Sequence, residues 1–125
     1  MSEFIKIAVD AMGGEGAPKK TIDGIILNHH SNKRIFYKIF GDKNQISKLI
    51  NDKVHKSNFE IIHTEDVIKS TDTPLEGAKR GKQTSMWLAI KSVRDKEADI
   101  VISAGNTGAL LVVSKLNLKM IEKRD

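Results

Sequence analysis

A chain of 125 residues with 39% hydrophobic and 30% charged side chains has the make-up of one folded domain, which argues against a disordered chain. Having no cysteine, it has no disulfide framework, thiolate nucleophile or cysteine-based metal site. Twenty-one Lys and Arg against 16 Asp and Glu leave a charge of +5, which favours an acidic partner. The basic residues are scattered, however, and 5% aromatics are too few for stacking on single strands, so a nucleic-acid partner is not expected.

The N-terminus, Met1 to Val9, lacks the basic region and long apolar core of a signal peptide. No run approaches the roughly 18 apolar residues of a membrane span. The chain therefore reads as cytoplasmic. Phe4–Val9 predicts a first strand, followed by the glycine-bearing turn Asp10-Ala-Met-Gly-Gly-Glu-Gly-Ala-Pro18. A helix is expected over Pro18–His30, with Pro18 in its first turn and Ile22, Ile25 and Ile26 on one face. His29 and His30 fall at its end, where a cation complements the helix dipole. Arg34–Phe40 is the second strand, and Asp42–Val54 a helix that starts at a good cap. Phe59–Thr64 is the third strand.

The irregular stretch Glu65–Thr84 then carries Pro74, Lys79, Arg80 and Lys82; a basic loop of that length points to function. Ser85–Lys96 is a helix with Met86, Ala89, Ile90 and Val93 on one stripe and Trp87 packing beside it. Asp99–Ser103 is the fourth strand and Gly108–Ile121 the last helix, apolar all round over Gly108–Val113. The first and fourth strands are nearly continuous in apolar character, as in a parallel strand covered on both faces. Strands alternating with helices imply an α/β fold with a parallel sheet and right-handed crossovers.

Two turns are suited to an anion. Ser103-Ala104-Gly105-Asn106-Thr107-Gly108-Ala109 lies between a strand and a buried helix, where helix N–H groups lack partners and the dipole is positive. Gly105 and Gly108 allow close backbone approach, and Asn106 and Thr107 add an amide and a hydroxyl. The turn at Gly13 and Gly14 is of the same kind. There Asp10 either accepts N–H bonds as a simple cap or positions a neighbouring donor. His55 and His63 have no partners at ligand spacing, and no metal site is expected.

These residues resemble the bacterial phosphate acyltransferases, the PlsX family. The matching motifs are Asp10-Ala-Met-Gly-Gly-x-x-Ala-Pro18, Gly41-Asp42, Asp72-Thr-Pro74 through Lys79, Arg80 and Lys82 to Thr84-Ser85-Met86, and Ser103 to Ala109. The resemblance runs along the whole chain with order and spacing kept. Departures are Glu15 for the usual Asp, Gly77 for Ala, Lys79 for Arg and Thr84 for Ser; Lys at 79 loses a planar bidentate fork.

The resemblance implies transfer of an acyl group from acyl-carrier protein to inorganic phosphate, giving acyl phosphate for phospholipid synthesis without a cofactor. It implies Asn106 and Thr107 as catalytic groups, with Asp10, Gly13, Gly14, Lys79, Arg80, Ser103, Gly105 and Gly108 around the phosphate. It also implies a three-layer α/β sandwich like that of the isocitrate and isopropylmalate dehydrogenases, a homodimer, and peripheral membrane association with the glycerol-phosphate acyltransferase that follows. On this reading the chain is the N-terminal portion, about the first third of a family member, either a fragment or a split-gene product and inactive alone. A phosphotransacetylase-like relative and a non-catalytic remnant are the alternatives.

Overall fold

The computed structural model describes residues 4–64 and 84–103. Four strands, β1 (Ile5–Asp10), β2 (Ile35–Gly41), β3 (Phe59–His63) and β4 (Ile100–Ser103), form one parallel sheet in the order β3-β2-β1-β4. Helices α1 (Lys19–Ser31) and α2 (Lys43–Ile50) follow β1 and β2, and α3 (Ser85–Arg94) precedes β4. The expected α/β class and parallel sheet are present.

Alternation along the strands separates two cores. Ile7 and Val9 of β1 and Tyr37 and Ile39 of β2 pack with Ile22 and Ile25 of α1 and Ile46 of α2. Ala8 and Phe40 point to the other face, where Ala89 of α3 and Ala98 meet them. The described helices thus cover both faces of the sheet, as short parallel crossovers require.

Caps and left-handed residues set the helix limits. Asp42 starts α2: Oδ1 accepts the N–H groups of Asn44 (3.0 Å) and Gln45 (3.2 Å). Chiefly because of the Gln45 N–H, the Asp42 carboxyl is held below its usual range. The helix ends at Ile50, short of Val54, because Asn51 and Asp52 take φ of +35° and +64°. Likewise α3 stops at Arg94, and Lys96 has φ +62°. Thr84 caps α3, its Oγ1 accepting the Trp87 N–H at 3.2 Å. Pro18, with a cis peptide bond before it, is the residue ahead of α1 rather than inside it.

Two expectations are corrected. Among the described residues β4 is covered only on its α3 face, where Val101 packs; Ile100 and Ile102 on the other face are 50% and 49% exposed. His29 is not a dipole-facing cation. It lies on the same stripe as Ile22 and Ile25, is buried, and accepts the His55 N–H on Nε2 at 3.3 Å. Burial, then the charges of Lys33, His55 and His30, lower its pKa, so the neutral ring is favoured. The two rings meet edge-on, with centroids 5.1 Å apart.

Candidate active site at the β1–β4 boundary

In this strand order the chain leaves β1 for β2 on one side, by way of α1, and returns to β4 on the other, by way of α3. The point where the order reverses lies between β1 and β4. In open α/β sheets the crevice beyond the carboxyl ends of strands at such a point is where ligands bind. Asp10 and Ser103 end those two strands as register partners.

Asp10 is 2% exposed, and four donors converge on its carboxylate. Oδ1 accepts the N–H groups of Met12 and Gly13, each at 3.2 Å, and the Ser85 hydroxyl at 2.5 Å. Oδ2 accepts the Ser103 hydroxyl at 2.8 Å. The carboxylate therefore joins the start of the β1 turn, the first residue of α3 and the end of β4. A buried anion held by several charge-assisted hydrogen bonds keeps a fixed orientation. This geometry is that of an organising group.

Gly13 is buried within the turn, and Gly14 has φ +90°, a conformation open to glycine at little steric cost. The backbone thereby reverses close to the Asp10 carboxylate. Glu15 and Lys20 line a cleft of about 560 Å³ that opens beside Asp10 and Gly13. Of the residues expected at the site, Asp10, Gly13, Gly14 and Ser103 lie together at this boundary. Lys79, Arg80, Gly105, Asn106, Thr107 and Gly108 lie outside the described residues, as does the helix expected over Gly108–Ile121.

Ser85 is the group that sequence reasoning passed over as a site residue. Its signal is its place directly behind the cap Thr84, where a side chain of a buried helix N-terminus faces the strand ends. Elsewhere, His63 Nδ1 accepts the Lys43 N–H at 3.1 Å, and no group of three or more His, Asp or Glu is placed to hold a metal among the described residues.

The fold and this boundary define a parallel α/β protein whose strand-order reversal is organised by a buried carboxylate. Residues 5–124 match the family described as "Fatty acid synthesis protein", and the chain belongs to that family. It is 69% identical over all 125 of its residues to a phosphate acyltransferase of Pelagibacter ubique, covering 37% of that protein. It is 47% identical over 107 residues to a phosphate acyltransferase of Listeria welshimeri (86% of this chain, 31% of the relative). A third, from Paramagnetospirillum magneticum, is 37% identical over 122 residues (97% and 35%). The chain thus spans 31% to 37% of the length of these relatives.

Proposed function

We propose that this chain forms the phosphate-holding side of an enzyme that transfers a fatty acyl group from acyl-carrier protein to inorganic phosphate, yielding acyl phosphate for phospholipid synthesis. The observation that carries this reading is the Asp10 tie: it fixes a glycine turn at the strand-order reversal of a chain whose relatives are named phosphate acyltransferases. An acyl phosphate forms when a phosphate oxygen attacks the thioester carbonyl and the carrier thiolate leaves. Phosphate is already anionic near neutral pH, so the site's task is to hold it against the carbonyl and to stabilise the tetrahedral oxyanion.

Within this reading the N–H groups of the Gly105–Gly108 turn, with Asn106 and Thr107, form the anion cradle, and the turn at Gly13 and Gly14, with the Gly13 N–H held by Asp10, brings its backbone up beside it. Lys79 and Arg80 neutralise phosphate, and with Lys82 they steer the acidic carrier. Asp10 stands beside the anion as a positioning group, its own charge spread over four donors. The fold extends to the three-layer dehydrogenase-like sandwich, and the working unit is a cytoplasmic homodimer that touches the membrane peripherally.

The test is a chimera in which this chain replaces the matching residues of the Pelagibacter ubique relative. It should form acyl phosphate from acyl-carrier protein and phosphate, and Asn106→Ala should lower the rate about 10²-fold, the scale of losing one oxyanion donor. A chimera that folds but forms no acyl phosphate overturns the reading. Unchanged turnover in Asn106→Ala removes that residue from the cradle.

A further inference from the structure

The cleft that opens beside Asp10 and Gly13 runs along the α1 face of the sheet towards the outer strand. Ile7, Val9 and Ile102 form its floor, and Gly24 and Ile25 belong to its α1 wall. Apart from Thr21 on the α1 wall, its polar groups sit at the two ends. Asp10, Glu15 and Lys20 are at the mouth; at the other end the Asn28 amide donates to the Tyr37 hydroxyl at 2.7 Å, so those groups are satisfied by one another. Between the ends the lining is apolar but for Thr21, and at about 560 Å³ the space is within the range of small-molecule sites.

Gly24 gives a second, independent pointer. Glycine inside a helix is destabilising relative to alanine, and its usual justification is a close neighbour that a side chain would strike. A Cβ built at Gly24 meets nothing within 4 Å. The missing side chain therefore relieves no clash; it leaves the wall of the cleft bare. Ile102, 49% exposed on the floor, is a large apolar side chain without cover among the described residues. An apolar trough with a polar mouth at an anion turn suits an amphiphile: a hydrocarbon chain along the floor and a carbonyl end at the turn.

We propose that the α1–β4 cleft binds the acyl chain of the substrate, with its carbonyl end at the Asp10–Gly14 turn. This rests on the acyl-transfer reading above, and it assigns Gly24 and Ile102 as residues that set which chain lengths are accepted. Thioester attack then takes place where chain and phosphate meet, and the cleft contributes binding and placement.

Binding is read on this chain by displacement of the fluorescent fatty acid cis-parinaric acid with hexadecanoic acid. The wild type should bind both. Gly24→Leu, which fills the cleft from an exposed helix position, should weaken binding at least about tenfold, and Ile102→Gln should weaken it as well. Leu27→Lys, on the exposed side of α1, should change nothing, and circular dichroism should show all three folded. Absence of binding in the wild type, or equal affinity in folded Gly24→Leu and Ile102→Gln, overturns the proposal.

In the chimera, Gly24→Leu should lower kcat/KM for long-chain acyl carriers and spare a butyryl carrier. A uniform effect at all chain lengths counts against the cleft while leaving acyl transfer standing. A wild-type chimera that makes no acyl phosphate sinks acyl transfer, and the fatty-acid displacement then decides the cleft by itself.

Discussion

The Ser103 hydroxyl reaches across the β1–β4 boundary and donates to Asp10 Oδ2 at 2.8 Å, pairing the last residues of two strands that are also register partners. With Ser85 on Oδ1, one carboxylate holds two hydroxyls that lie 75 and 93 residues from it in sequence. Asp10→Ala removes this acceptor from both hydroxyls and from two backbone N–H groups, of which the Ser85 hydroxyl and the Gly13 N–H are buried. A loss of about 3 kcal/mol in urea unfolding is expected, since each unpaired buried donor costs about 1–3 kcal/mol and hydroxyls recover part of this by rotating. Asp10→Asn should lose less, because its carbonyl still serves the turn and the Ser103 hydroxyl can turn to accept. An Asp10→Ala variant as stable as the wild type would refute the tie.

The two serines should be coupled. Ser85→Ala and Ser103→Ala each remove one hydrogen bond to a charged acceptor, worth roughly 1.5–3 kcal/mol apiece. Because both act on the same carboxylate, the double variant should depart from the sum by about 0.5 kcal/mol or more. A double-mutant cycle measured by denaturant unfolding checks this, and strict additivity would mean that Asp10 serves the two independently.

His29 makes stability depend on pH. Its folded pKa lies below the ordinary 6.5, so the unfolded chain binds the proton more readily. The contribution is present in full above about 6.5 and is lost as pH falls from there through the lower folded value. His29→Leu, which removes the titrating ring and keeps the volume apolar, should flatten that part of the unfolding profile. Asp42 acts in a separate, more acidic window. Its carboxyl is held below 3.8, so its support for α2 is present above that value and fades as pH falls through the folded one.

Ile39, fully buried in β2 between the α1 and α2 packing positions, should cost about 2–5 kcal/mol when cut to alanine. Leu27, 72% exposed, should stay within about 0.5 kcal/mol under the same change. Thermal or urea unfolding of the pair distinguishes a core set by the α1 face from one spread evenly over the surface.

Much of the fold is legible because its signals are local. Short β-branched runs such as Ile5 to Val9 and Ile35 to Ile39 recur at helix-length intervals, and Asp42 marks a helix start by its own chemistry. Helix ends are less visible: Asn51 and Asp52 tolerate left-handed geometry, but nothing in the periodicity of Ile46, Leu49 and Ile50 says where it is adopted. The burial of His29 could be read from its spacing behind Ile22 and Ile25; the dipole argument points the other way and loses to desolvation. The exposed face of β4 is hidden in Ile100 and Ile102, since an apolar run reads the same whether or not a helix lies over it. Asp10 and Gly13 announce a turn, but the hydroxyls that meet the carboxylate are a tertiary matter.

The partners of Asp10 lie 75 and 93 residues ahead of it in the chain. Parallel β1–β2 pairing needs only the α1 crossover, while docking β4 on the other side of β1 closes a far longer loop. Contacts of such separation slow folding, and here they fall on the carboxylate that shapes the Gly13–Gly14 turn. During synthesis β1 leaves the ribosome long before Ser85 and Ser103 exist, so the Asp10 carboxylate waits in water with only its own turn to hold it. Among the described elements the crevice is thus completed last, and its geometry reports that β4 has docked on β1.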